Sequence, residues 1–272
     1  MSNYASPEEY GLADLLCCAA SREVQDNEIV FAGTGLPMVA IMLAQKTHAP
    51  NLKLIFEAGT LDGRPPELPT SVGDARCETG ASRSSGLFDA FSIAQRGYVD
   101  LGYLGGAEID QYGNVNTTCI GNYLEPELRL TGSGGNPDIN SFAKRTVFIM
   151  VHEKRRFVEH VSYITSPGWR VKKWPGGEWV HRRELYGAAF RGGPSAVIST
   201  AGVFRFDGQD GHMYLETCHP GKTPGEIKDL CQFDLDISRV KGETAPPTKE
   251  ELYFIHDVLD PDQIFIPKVK KA

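Results

Sequence analysis

The residue whose position could do most chemistry is Glu57. An apolar run, Leu54-Ile55-Phe56, stops abruptly at Glu57-Ala58-Gly59. A carboxylate at the tip of a buried strand is costly unless it is paired or put to work. An ionised glutamate is a modest oxygen nucleophile. If it attacks a thioester it forms an acyl anhydride, and the returning thiolate then makes an enzyme thioester. Such covalent catalysis divides one hard step into easier ones. The structural reading of the same residue is an ion pair with an arginine or a cap on a helix. A second segment, Thr131-Gly132-Ser133-Gly134-Gly135-Asn136, could supply donors to the same pocket. Glycines let backbone approach a ligand closely, and the N–H groups of Gly134, Gly135 and Asn136 would suit an oxyanion or a phosphate. The alternative is a plain surface loop. No Gly-Lys-Ser/Thr follows, so this is not a P-loop.

Gly33-Thr34-Gly35 follows an apolar strand and precedes a helix. The third glycine of the dinucleotide fingerprint is missing, since position 38 is Met38. Close strand–helix packing is therefore expected, with nearby N–H groups able to help bind an anionic substrate. Residues 105–116 are polar and turn-prone. Asp110 and Asn114 either brace neighbouring loops through backbone hydrogen bonds or simply build a turn. His152-Glu153-Lys154-Arg155-Arg156 reads as a phosphate clamp or as a solvated charge run. His219 is isolated and is assigned no catalysis. None of the six cysteines forms a C-x-x-C pair, and no spacing supports a metal site.

These residues need elements to position them. The capping box Ser6-Pro7-Glu8-Glu9 predicts a helix from residue 7 to about 22, with Leu12, Leu15, Leu16 and Ala19 on one face. Strands are expected at 29–32 and 52–56, with a helix from Pro37 to Lys46 between them. That rhythm belongs to a parallel sheet with helical crossovers. Residues 59–83 read as a long loop, 87–96 as a helix and 99–104 as a strand. The β-branched and aromatic run at 147–151 suits a central buried strand. Residues 166–195 read as an excursion, 196–200 and 203–206 as strands, and the capping box at Thr248 opens a helix to about 259. The expected architecture is α/β, a mostly parallel sheet flanked by helices, in one domain over residues 1–272.

Composition sets the outer bounds. The chain has 272 residues, 41% hydrophobic and 23% charged, as in ordinary globular proteins. A net charge of -7 argues against nucleic acid or an anionic membrane as partner. Lys268-Val269-Lys270-Lys271 is only a short basic tail. No apolar run is long enough for a membrane span. The first residues lack the features of a secretory signal, and unpaired cysteines suit a reducing compartment, so a cytoplasmic location is expected.

Several of these stretches together carry a resemblance. They are Gly33-Thr34-Gly35-Leu36-Pro37, Glu57-Ala58-Gly59, Ser71-Val72-Gly73-Asp74, residues 105–116, 131–135 and 152–157, and Thr165-Ser166-Pro167-Gly168-Trp169. From about residue 10 to 265 the chain resembles β subunits of the class I CoA-transferases of glutaconate type. The resemblance implies that Glu57 is the nucleophile, becoming a glutamyl-CoA thioester in a ping-pong cycle. It implies coenzyme A as the acyl-CoA substrate and no metal. The loop with Gly134, Gly135 and Asn136 would serve the oxyanion and CoA, and Gly33, Thr34 and Gly35 would form a substrate loop. It also implies a separate α subunit of the same fold, a site between the subunits, and an α/β heterotetramer or larger assembly. Two departures stand out: the family has Ser at the position of Ala58, and the side chains of the loop 60–66 differ from those of the glutaconate enzymes. Related heteromers are hydrolases that open ring-derived acyl-CoA compounds, so the alternative activity is a hydrolase in which Glu57 activates water. Glu57 argues against the decarboxylase branch, where the matching glutamate is lost.

Overall fold

The alternation of short apolar strands with helices in the first hundred residues builds a parallel core. The computed structural model describes residues 3–269, apart from 174, 176, 188, 189 and 209 and the side chain of residue 186. Parts of the expected excursion (174, 176, 188 and 189) and of the basic tail (270 and 271) thus lie outside the described residues. Contacts group the chain into two compact units. One comprises residues up to Ile93, Tyr98–Tyr103 and the segment from Ala245 onward; the other comprises Ala94–Gly97 and Leu104–Thr244.

The first unit contains α1 (Leu12–Ser21), β1 (Ile29–Ala32), α2 (Leu36–Lys46), β2 (Lys53–Phe56), β3 (Thr60–Leu61) and β4 (Arg83–Ser84), with all but the last residues of α3 (Leu87–Gln95) and of β5 (Leu101–Leu104). β1 lies between β2 and β5 and is parallel to both, with Ala32 level with Phe56 and Phe31 level with Gly102. β3 and β4 continue from β2 in antiparallel pairing, so the sheet is mixed at this edge. α2 is buried from Met38 to Ala44, because it packs on β1 and on α1. A helix apolar on every face belongs inside a core, and each such Leu, Ile or Met side chain contributes about 1.5–3 kcal/mol.

The expected first helix starts later than the sequence predicts. The Ser6 amide and hydroxyl do donate to Glu9 Oε2, at 2.7 and 3.0 Å. The backbone then leaves the helical path, and α1 starts at Leu12 under a second cap, the Gly11 amide donating to Asp14 Oδ2 at 2.8 Å. Starting there seats Leu15, Leu16, Cys17 and Cys18 in the core, so burial overrides the earlier cap. At the other end the Thr248–Glu251 capping box forms as predicted. It opens the helix Lys249–Tyr253, which continues as a wider π-type turn over Phe254–Leu259.

The second unit begins with two hairpins, β6 (Glu108–Ile109) with β7 (Val115–Asn116), and β8 (Cys119–Gly121) with β9 (Pro126–Arg129). α4 (Asn136–Phe142) leads into β10 (Arg145–Met150), the predicted central strand. The excursion holds a third hairpin, β11 (Arg170–Lys172) with β12 (Trp179–His181), and α5 (Arg182–Tyr186). β13 (Pro194–Ser199) pairs in parallel with β10. β14 (Gly202–Phe206) and β15 (Met213–Cys218) then extend the sheet antiparallel, and α6 (Pro224–Asp229) follows. β15 escaped the sequence reading because its half-buried polar residues break the apolar run. Phe148, Phe157, Phe204, Val197 and Leu215 fill the core of this unit, each 0% exposed. No helix among the described residues is long and apolar enough to cross a membrane. All six cysteines are free and buried.

Candidate active site

Glu57 sits where β2 is forced to stop. Leu54, Ile55 and Phe56 are buried, and the strand closes into a turn as the Gly59 amide donates to Phe56 O at 2.9 Å. Glu57 and Ala58 are the two central residues of that turn; the glutamate is half-buried and the alanine exposed. Gly59 has φ +114, and a Cβ there would stand 2.5 Å from Ser85 O. Only glycine tolerates that conformation at no steric cost. Its carbonyl is held from the other side by the Ser85 hydroxyl at 2.6 Å and the Ser85 amide at 3.1 Å. Among the described residues none forms a hydrogen bond or ion pair with the Glu57 carboxylate.

The Gly33-Thr34-Gly35 turn is brought beside Glu57 by strand register. Because Ala32 is level with Phe56 in adjacent parallel strands, Gly33 and Glu57 leave the sheet side by side. The carboxyl edge of parallel strands is where open α/β sheets form ligand crevices. Gly35 caps α2 with φ +80, and nothing lies within 4 Å of the place its Cβ would take. A Cβ on Gly33 would meet Tyr103 O at 3.4 Å, so this strand–helix turn is closely packed, as expected, yet opens to solvent at Gly35.

The second glycine loop belongs to the other unit. Gly132 and Gly134 adopt φ +96 and +49, and a Cβ on either would meet open space. The Gly132 amide donates to Thr117 O at 2.9 Å, and the Thr117 hydroxyl donates to Gly132 O at 2.7 Å. The Gly134 and Gly135 amides have no partner among the described residues. The Asn136 amide differs, because it already donates to Ser133 O at 3.1 Å, and its side chain reaches Gly105 O at 3.3 Å. Two amides, not three, are thus uncommitted, since the turn leading into α4 consumes the third.

Beside this loop lies a cavity of about 660 Å³ lined by residues 105–107 and 129–131, with Thr117 and Arg156. Arg129 was not singled out by the sequence. It stands alone on β9, and nothing in its neighbours marks it. Arg156 belongs to the charged run 152–156, which the structure splits. His152 is buried, its Nε2 hydrogen bonded to Ile227 O at 3.1 Å and its ring stacked on Phe204, and burial lowers its pKa. Glu153 accepts from Arg155 at 2.7 Å and from Arg156 at 3.1 Å.

Asp110 and Asn114 do brace loops. Asp110, fully buried, accepts from the Tyr112 amide at 2.9 Å, the Asn114 amide at 3.0 Å and Asn114 Nδ2 at 2.8 Å. Asn114 Oδ1 in turn accepts from the Gly168 amide at 2.7 Å, and its Nδ2 reaches Arg170 O at 2.8 Å. Burial outweighs these donors and pushes the Asp110 carboxyl up to about 7. His219 is a core residue. Its Nε2 donates to Ser199 O at 2.8 Å and its Nδ1 accepts from the Thr244 hydroxyl at 2.9 Å, while burial pulls its pKa down to about 4. Among the described residues no group of three or more His, Cys, Asp or Glu is placed to hold a metal ion.

An unpaired carboxylate on a glycine-bounded turn at the edge of a parallel sheet is suited to meeting an acyl group, and known proteins resemble the chain along nearly its whole length. It is 35% identical to a glutaconate CoA-transferase subunit of Acidaminococcus fermentans, over 98% of this chain and 97% of that protein. The crystal structure of glutaconate coenzyme A-transferase from that organism matches with a TM-score of 0.85 at 31% identity, covering 97% of this chain and 98% of the other. A 3-oxoadipate CoA-transferase subunit of Pseudomonas knackmussii is 33% identical over 89% of this chain and 91% of its own length. The cholesterol ring-cleaving hydrolase IpdB subunit of Mycobacterium tuberculosis is 28% identical over 92% and 95%. A match to the family described as Coenzyme A transferase spans residues 16–229, and with these near-full-length likenesses it establishes that the chain belongs to the coenzyme A transferase family.

Proposed function

We propose that this chain, taken whole over residues 1–272, is the β-type subunit of a two-subunit CoA-transferase that moves CoA between carboxylic acids through Glu57. The observation that carries the proposal is the unpartnered Glu57 carboxylate, held in a fixed turn beside the open Gly33–Gly35 segment. A Glu57 oxygen attacks the thioester carbonyl of a bound acyl-CoA, and the carbon–sulfur bond breaks to release CoA thiolate. The thiolate then attacks the Glu57 carbonyl of the resulting anhydride and expels the donor acid as carboxylate. The same steps in reverse, with a second acid, return CoA to that acid and restore Glu57. Within the second unit, Gly134 and Gly135 keep two uncommitted N–H groups, donors of the kind that can hold an oxyanion or a phosphate of an acyl-CoA. The relatives are themselves named as subunits of their enzymes, which supports a separate partner subunit.

The test is turnover of Glu57→Gln in the complex with its partner. A nucleophile acts in the chemical step itself, so the loss should reach orders of magnitude. Activity within a few-fold of the parent would overturn the proposal. The hydrolase relative supports a second reading, in which Glu57 activates water. Steady consumption of acyl-CoA without any acceptor acid would favour it, whereas dependence on the acceptor favours transfer.

A further inference from the structure

The 660 Å³ cavity of the second unit has an unusual wall for an acidic protein. The chain carries a net charge of -7, yet two arginines, Arg129 and Arg156, line this cavity, and among the described residues no acidic side chain does. Each guanidinium is anchored by part of its donor set and leaves the rest uncommitted. Arg129 Nη2 donates to Tyr123 O at 3.0 Å while the guanidinium lies 5.0 Å from the Tyr123 ring centroid. Arg156 Nε donates to Glu153 at 3.1 Å, and Arg155 shares that carboxylate and offsets its charge. The remaining guanidinium N–H groups have no partner among the described residues. A held guanidinium loses less freedom when it captures an anion, and its forked donors match carboxylate and phosphate.

Another part of the wall is bare backbone. A Cβ on Gly106 would meet Val115 Cγ1 at 2.5 Å, so the chain at 105–107 packs on the β6–β7 hairpin with no side chain filling the space. Asn136 Nδ2 and Thr117 tie this wall to the Gly132–Gly135 loop through Gly105 O and Gly132 O. The volume falls in the range of small-molecule sites, roughly 300–1,000 Å³.

We propose that this cavity binds an oxyanion carried by the substrate, a carboxylate or a phosphate, through Arg129 and Arg156. The inference rests on the reading of the adjacent glycine loop as part of an acyl-CoA site. Two sources of the anion are chemically equivalent: the free carboxylate of a dicarboxylic acyl group, or the phosphates of CoA. A substrate lacking the recognised anion gains nothing from these arginines.

The experiment uses the full chain with its partner subunit, as parent, Arg129→Gln, Arg156→Gln and the double variant. The substrates are glutaryl-CoA, butyryl-CoA and the glutaryl and butyryl thioesters of pantetheine, which lacks phosphate. Losing a charged hydrogen bond in the double variant should raise KM about tenfold or more, with kcat within a few-fold. If the carboxylate is held, the penalty appears with both glutaryl substrates and not with the butyryl ones. If phosphate is held, it appears with both CoA esters and not with the pantetheine ones. Unchanged KM throughout, or an equal penalty on all four, overturns the inference. Arg129 is exposed, so its single variant tests the idea without threatening the fold. Calorimetric titration with CoA and with glutarate reads the same contacts without turnover. An active Glu57→Gln would sink the catalytic reading while leaving calorimetry to decide this one.

Discussion

Replacing Gly59 by alanine should move the nucleophile without touching it. The residue sits at φ +114, and the new methyl would lie 2.5 Å from Ser85 O and 2.6 Å from the Gly86 and Ser85 carbonyl carbons. A non-glycine residue in such a region costs about 1–3 kcal/mol from backbone conformation alone. The contact is with backbone, so the turn must shift rather than a side chain swing away. Together these effects set the cost at about 3 kcal/mol, which for a chain of this size lowers Tm by on the order of 6–12 °C. Gly35→Ala is the internal control. It has φ +80 but open space around the new methyl, so it should show the conformational part of the penalty and no clash. Misplacing a catalytic group by about 1 Å can cost on the order of a hundredfold in rate. Thermal unfolding and steady-state turnover of both variants would separate the two effects. A Gly59→Ala protein as stable as its Gly35→Ala counterpart and as active as the parent would refute the claim that this glycine sets the Glu57 turn.

Other outcomes follow from the same geometry. Ser85→Ala removes the 2.6 Å hydroxyl bond to Gly59 O but keeps the amide bond. Stability should fall by about 1 kcal/mol in urea titrations, and kcat should fall more than KM rises, with Ser85→Thr restoring part of it. Asp110, raised to about 7 in the folded chain, gives up its proton later than in the unfolded chain. Its contribution is therefore complete below the ordinary carboxylate range and is lost as pH rises through about 7. His219, pulled down to about 4, has the opposite sign: its contribution is complete above the ordinary histidine range and is lost as pH falls toward 4. Unfolding free energies of parent, Asp110→Asn and His219→Gln across pH 4–8, which spans about the range of these groups, should show each variant losing its own slope. Parallel curves for all three would contradict both assignments.

Local sequence was enough to specify the strand that ends at Glu57, the glycine turns and the paired β1–α2–β2 rhythm. Apolar runs, glycine conformations and short caps are decided by neighbours a few residues apart, so a reader of the chain can see them. The Thr248 cap is local in the same way, and it formed as read. The Ser6 cap is the instructive exception, because its side-chain bonds formed but burial of Leu15, Leu16, Cys17 and Cys18 moved the helix start to Leu12. β15 was invisible for a related reason, since its mixed pattern becomes a strand only when β14 offers an edge to pair with.

Folding in three dimensions settled which polar residues are occupied and which remain available. The Asn136 amide looked equivalent to those of Gly134 and Gly135, but the turn into α4 spends it on Ser133 O. Arg129 and Arg156, 27 positions apart in the sequence, share one cavity wall because folding brings β9 to the segment after β10. The partner that a side chain finds depends on distances between segments remote in sequence, and no local pattern encodes those distances.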